Sequence, residues 1–279
     1  AASDVYKRQT LAWTSLLLVG GLTTEAMAIV VAPTAIYLTS DDRAAVIQLY
    51  NPSTQPEEVS VEAIFGYPAT DEEGRIGLRM SEEGDPRSAA DWVQVLPRRL
   101  VVPPGQRRAV RLLARPPLEL RDGEYWTRLI FTSRGQSVPV TGMDTTAVKV
   151  GLGLEVRTVI ALTYRKGEVD TGVRVREFDP RIVGDSIVMR PEFLRAGEGA
   201  FIGRMELTLI DTAGLPVRSW EEQVAVYRDY HRHYSYDVKD VPEGEYRLLL
   251  HMDTDREDIP EADRLPTDPV ELSVPLTRS

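Results

Sequence analysis

Between Val148 and Arg165 the chain alternates. Val148, Val150, Leu152, Leu154, Val156, Ile160 and Leu162 fall at steps of two, with Lys149, Gly151, Gly153, Glu155, Arg157 and Thr163 filling most of the places between. A period of two is that of a β-strand. At roughly 3.3 Å per residue the segment reaches on the order of 50 Å, against a usual strand of about 5 or 6 residues. From periodicity alone the plainer reading is a core strand with a solvated outer face. A long apolar strand left at a sheet edge is an aggregation hazard that proteins normally blunt, so its retention also fits use as a pairing surface for strand addition.

The same short period recurs along the chain, and no segment sustains a helical one. Ile29–Leu38, Ala44–Tyr50 and Val59–Phe65 read as strands, broken at Ser40-Asp41-Asp42 and Asn51-Pro52-Ser53. Pro68 to Asp91 is acidic, glycine-bearing and aperiodic, and reads as a surface loop. Trp92–Val95, Leu100–Val102, Ala109–Leu113 and Tyr125–Phe131 follow as strands, then the long one. After Arg165-Lys166-Gly167 the pattern restarts with Val169–Val175, Ser186–Leu194, Phe201–Ile210, Val224–Tyr227, Tyr246–Met252 and Val270–Val274. Many short strands with turns every 8 to 12 residues or so predict β-sandwiches. The expected organisation is a leader over 1–28 and two all-β sandwich domains over 29–165 and 166–279.

Composition narrows the function classes. A chain of 279 residues that is 42% hydrophobic has material for two cores. Its net charge of −10 argues against a nucleic-acid surface, which needs clustered Lys and Arg. The absence of cysteine excludes disulfides, thiolate metal sites and cysteine nucleophiles. Lys7 and Arg8 precede an apolar run from Leu11 to Leu22, then Glu25 and Ala26-Met27-Ala28, the layout of a secretory leader cleaved after Ala28. The run is short for a membrane span, so no transmembrane segment is expected once the leader is removed.

Catalytic and metal signals are weak. His231 and His233, one residue apart, would share a face on a strand, but a polar strand and loop rich in tyrosine explains them better than a metal site. His251 sits in an apolar run and reads as packed. The acidic stretches Asp71-Glu72-Glu73 and Asp253 to Asp258 follow no EF-hand spacing. Neither a Gly-x-Ser-x-Gly elbow nor a phosphate-cradling loop occurs. The expectation is a protein that is not an enzyme, without metal or cofactor.

Several segments in fixed order stand above this background. They are Val46-Ile47-Gln48-Leu49-Tyr50-Asn51, Val95-Leu96-Pro97, Leu100-Val101-Val102-Pro103-Pro104-Gly105 with Val110-Arg111-Leu112, Asp122-Gly123-Glu124-Tyr125-Trp126 and Tyr164-Arg165. In these the chain resembles the periplasmic pilus-assembly chaperones over most of Ile29 to Arg165. A thinner likeness continues at Arg195-Ala196-Gly197, Gly203 and Pro242-Glu243-Gly244-Glu245-Tyr246. The resemblance implies two immunoglobulin-like domains set at an angle. It also implies a periplasmic chaperone whose last first-domain strand lends alternate apolar residues to an unfinished, secreted β-rich pilus subunit, with an outer-membrane usher as a further partner. Counted back from Tyr164-Arg165, the lent positions are Leu152, Leu154 and Val156, and Val148 and Val150 extend the row.

Two positions depart from that pattern. The family holds a subunit's C-terminal carboxylate with two basic residues in the cleft, and the corresponding positions here are Ala35 and Ala161. Arg157, four residues before Ala161 on the same strand face, is the candidate substitute anion contact, and Arg165 matches an interdomain ion-pairing arginine. The alternative reading is an exported structural or adhesive immunoglobulin-like protein, which the two alanines favour and the intact apolar row disfavours.

Overall fold

The computed structural model describes residues 28–81, 84–135 and 154–279. Among them the regular structure is all β apart from a 3₁₀ turn at Glu261–Asp263. The first half contributes β1 (Val30–Ala32), β2 (Ala35–Thr39), β3 (Ala44–Tyr50), β4 (Glu57–Thr70), β5 (Ile76–Ser81), β6 (Val93–Leu96), β7 (Arg99–Val102), β8 (Arg107–Ala114), β9 (Gly123–Gly135) and β10 (Glu155–Lys166). One sheet has the order β1-β3-β8-β6, the other β2-β10-β9-β4-β5 with β7 also on β4. Ile47 and Leu49 of β3 and Val110 and Leu112 of β8 meet Leu129 and Phe131 of β9 and Leu162 and Tyr164 of β10 in one buried core. The alternation along each strand supplies this, since only every second side chain faces inward.

The second half contributes β11 (Gly172–Arg176), β12 (Arg181–Val183), β13 (Ser186–Met189), β14 (Glu192–Ala196), β15 (Phe201–Ile210), β16 (Pro216–Val226), β17 (Asp229–His231), β18 (Tyr234–Asp237), β19 (Gly244–Asp253) and β20 (Val270–Arg278). The sheet β16-β15-β19-β20 closes over β11-β14-β17 and β12-β13-β18, around a separate core that includes Phe193, Phe201, Met205, Leu207, Val224 and Leu248.

Each half carries the same corner. Tyr125 Oη donates to the Arg121 carbonyl at 2.8 Å, and Tyr246 Oη donates to the Pro242 carbonyl at 2.9 Å. Both tyrosines follow a Gly-Glu pair whose glycine has a positive φ, 139° at Gly123 and 156° at Gly244, a conformation that side-chain-bearing residues avoid. A tyrosine whose hydroxyl returns to the backbone a few residues upstream is a hallmark of immunoglobulin sandwiches. The fold is therefore two immunoglobulin-like β-sandwiches in tandem.

Several sequence expectations need correction. Ile29–Leu38 is two strands in different sheets, because Pro33 removes a donor where the chain crosses over. The expected loop from Pro68 to Asp91 contains the end of β4 and all of β5, a hairpin in which Ile76, Leu78 and Met80 alternate with Gly77 and Arg79. Ser186–Leu194 divides at Arg190-Pro191 into β13 and β14, and β16 extends ten residues upstream of Val226 on a polar, exposed segment. The short strands β12, β17 and β18 gave no usable alternation. Val148, Val150 and Leu152 lie outside the described residues, and the long strand is seen from Glu155 onward.

Candidate functional site

The last strand of the first domain has unequal edges. β9 pairs with β10 along its whole length, from Glu155↔Arg134 to Lys166↔Gly123. β2 runs parallel on the other edge but covers only Ala161 to Arg165. Among the described residues no strand pairs with that edge over Glu155 to Ile160. On the inner face, Ile160, Leu162 and Tyr164 belong to the core. Two and three steps further back on that face, Val156 is half-buried and Leu154 is 54% exposed. Beyond Thr158, apolar residues thus resume on that parity past the end of the core that would cover them.

The outer face of this sheet opens into a cleft of about 770 Å³ between the domains, lined by Ala35 and Tyr37 of β2, Val159 and Ala161 of β10, Arg128 of β9, and Ile202, Ala225 and Tyr227 from the second domain. Ala161 pairs with Ala35 on one side and with Arg128 on the other, so the three form a row across three strands. The two alanines leave the row open. Arg128 is only 5% exposed, its guanidinium lies over the Tyr227 ring at 5.1 Å, and its Nε has no hydrogen-bond partner. Tyr37, which lines the same cleft, lies under the Arg165 guanidinium, 5.0 Å from ring centre to charge. Burial, reinforced by Tyr227, pushes the Tyr37 hydroxyl up to about 12.

At the junction the carboxylate of Glu124, 1% exposed, accepts three bonds: from Arg165 Nε at 2.9 Å, Trp126 Nε1 at 2.7 Å and the Ala200 amide of the second domain at 2.9 Å. Arg165 Nη1 also donates to the Asp263 carbonyl at 2.6 Å. Around them Phe65, Tyr67 and Trp126 pack on Ala200 and Tyr227, with Trp126 edge-on to Tyr227 at 4.9 Å. Arg228 and Arg195 stand over Tyr67 and Trp126. The angle between the domains is set by packed rings and desolvated charge, so the cleft has fixed walls.

Other residues singled out by sequence occupy plainer places. Arg157, 67% exposed at its side chain, is paired with Glu155 at 2.8 Å and lies about 13 Å along the strand from Ala161. His231 closes β17 beside Asp229, while His233 has left the strand and packs on Gly74 of the first domain, so the pair shares no strand face. His251 is not packed in the core: Leu250 and Met252 take the inward places of β19, leaving His251 outside, bonded to Asp253 at 3.0 Å. The acidic stretches are met by arginine, Asp71 and Glu73 by Arg75, Asp253 by Arg204 and Asp258 by Arg256. Arg128, Glu124, Tyr37 and Tyr227 were not singled out from sequence. For Arg128 a signal existed, a cation on the outward parity of β9 between the apolar Trp126 and Ile130.

No family model and no curated protein matches this chain. Solved structures do. The YadV chaperone is 13% identical, with 88% of this chain and 100% of that chain covered at a TM-score of 0.48. The Salmonella enterica SafB chaperone, solved with SafA pilin, is 12% identical over 90% and 98% at 0.43. The E. coli chaperone DraB is 14% identical over 80% and 88% at 0.41.

Proposed function

We propose that this chain is a periplasmic chaperone for secreted β-rich subunits of a pilus-type surface appendage, which it binds by strand addition along β10. The observation that carries the reading is the edge of Glu155 to Ile160, with which no strand among the described residues pairs, next to the row of Leu154 and Val156, which runs past its own core. A strand with free backbone donors and acceptors and uncovered alternate apolar side chains offers what an unfinished sandwich lacks. Backbone bonds give sequence-tolerant affinity, and the period-two row fixes register, since a slip by one residue turns every side chain to the wrong face. Val148, Val150 and Leu152 would lengthen that row.

The units of the reading are a leader over 1–28 and domains over 29–165 and 166–279, supported by the two separate cores. The leader places the mature chain in the periplasm, where an outer-membrane usher is the expected recipient of bound subunits. Among the described residues no helix is long and apolar enough to cross a membrane. No step of the role calls for catalysis or a cofactor.

Leu154→Glu tests the reading. Being 54% exposed in the free protein, that position tolerates a carboxylate without loss of fold. Capture of a β-rich subunit fails, because burying an unpaired carboxylate costs several kcal/mol, and roughly 3 kcal/mol lowers affinity about a hundredfold. Thermal melting beside pull-down separates the effects. A variant that melts normally and still captures subunits eliminates strand addition at β10.

A further inference from the structure

Charge is unevenly spread along this chain. Between Asp91 and Glu119 it carries six arginines, Arg98, Arg99, Arg107, Arg108, Arg111 and Arg115, and no acidic residue, although the whole chain stands at −10. All six are exposed and none makes an ion pair with a described residue; their recorded side-chain contacts are Arg107 over the Tyr50 ring at 5.6 Å and Arg108 Nη1 on the Arg107 carbonyl at 3.0 Å. Strand pairing brings Arg107 and Arg111 onto the outer face of the sheet β1-β3-β8-β6, where register lays side chains in rows. Val30, Tyr50 and Arg107 form one row, Ala32, Gln48 and Ala109 the next, and Val46, Arg111 and Leu96 a third. Arg98 and Arg99 follow directly after Leu96 and Pro97. Val30, Val46 and Leu96 are each half exposed or more, and none of the four strands contains an acidic residue.

Both β3 and β8 have a neighbour on each side, so this face offers side chains and not a strand edge. What it offers is guanidinium groups interleaved with exposed valine, leucine and tyrosine. An acidic protein surface would answer the arginines and leave the apolar side chains against carboxylates. An anionic bilayer answers both: phosphates meet the guanidinium groups, valine and leucine reach below them, and tyrosine suits the boundary. The place of β1 agrees. Leu22, the end of the apolar run in the leader, lies eight residues before Val30, at most about 28 Å of extended chain, so the edge of this face emerges within reach of the membrane that the leader crosses. We propose that the outer face of β1-β3-β8-β6 docks on an anionic lipid surface, with Arg107 and Arg111 on the phosphates. The net charge of −10 opposes unspecific attraction, so binding is oriented by the face where the balance is reversed. β10 belongs to the opposite sheet, which turns the edge of Glu155 to Ile160 away from the lipid and toward subunits emerging at the same membrane. The inference takes only the exported location from the proposed function.

The test is flotation of the mature chain with vesicles of phosphatidylcholine alone and of phosphatidylcholine with a third of phosphatidylglycerol. Wild type partitions onto the anionic vesicles about tenfold to a hundredfold better, from roughly fivefold per basic residue at the surface, and the preference falls as salt is raised. Arg107→Glu with Arg111→Glu removes the preference and melts as wild type does, because both side chains are exposed. Arg107→Lys with Arg111→Lys retains most of it. Arg174→Glu with Arg176→Glu makes the same change of charge at exposed positions of the second domain and leaves the preference intact. Val46→Ser with Leu96→Ser, all arginines in place, weakens binding about tenfold through lost apolar burial. Equal partition of wild type onto both vesicles overturns the proposal. A preference that survives charge reversal at Arg107 and Arg111, or that is lost equally in the second-domain control, overturns the assignment to this face. Binding to soluble polyglutamate without binding to anionic vesicles assigns the face to an acidic protein segment and overturns the lipid. Strand addition is not engaged in this assay, so it stands or falls separately by Leu154→Glu.

Discussion

Glu124 has no access to water and holds its charge against three donors, one of them in the other domain. Glu124→Gln keeps the shape and removes the charge, leaving Arg165, 13% exposed at its side chain, without a counter-ion. Breaking one partner out of a buried pair costs about 3 to 5 kcal/mol, and urea unfolding is expected to show a loss of that order. Arg165 was legible in sequence through the Tyr164-Arg165 pair. Its partner was not, because register alone brings Glu124 opposite Arg165. Tyr37 gives a second test. Its folded value of about 12 lies above the unfolded value of about 10, so the folded state holds the proton more tightly. The stability this contributes is complete below about pH 10 and is lost as pH rises from about 10 to 12. Across that window wild type should fall relative to Tyr37→Phe in melting temperature, and parallel curves would refute the assignment.

Among elements, those with uninterrupted alternation were readable. The spans read for β3 and β15 match the structure, and that for β19 lies within two residues of it. The β4–β5 hairpin was hidden because its turn is acidic and glycine-bearing and β5 is exposed throughout, with no buried side to mark a period. Proline divided two apparent strands at Pro33 and Pro191, and an apolar count does not register a missing backbone donor. In the site, the row through Leu154 and Val156 was visible as a period, whereas the free edge beside it is a property of pairing and appears only when β2 is found to stop at Ala161. Gly203 on β15 tests an element directly. A Cβ there runs into the Asp253 carbonyl of β19 and the Phe201 ring, and backbone in a paired strand has no easy retreat. Gly203→Ala is expected to cost about 1 to 3 kcal/mol, the usual range for overpacking, read as a lowered melting temperature with the first domain's near-ultraviolet signal retained.

Across the whole molecule, two cores share a third cluster of aromatic rings centred on Trp126, Tyr67 and Tyr227. Coupling of this kind makes a two-domain chain melt as one unit. Tyr227→Ala, which leaves both domain cores intact, should split a single calorimetric transition into two. The parallel pairing of β2 with β10 has a consequence of another sort, for the order in which the chain becomes a structure. Ala35 to Thr39, near the start, lacks a neighbour until Ala161 to Arg165 has been made, so the first domain depends on a contact of long sequence separation, and such contacts form slowly. The segment of that late strand paired with β2 ends at Arg165, which reaches the Asp263 carbonyl. Closure of the first sandwich therefore brings into place the arginine on which the second one docks, linking the folding of one domain to the assembly of both.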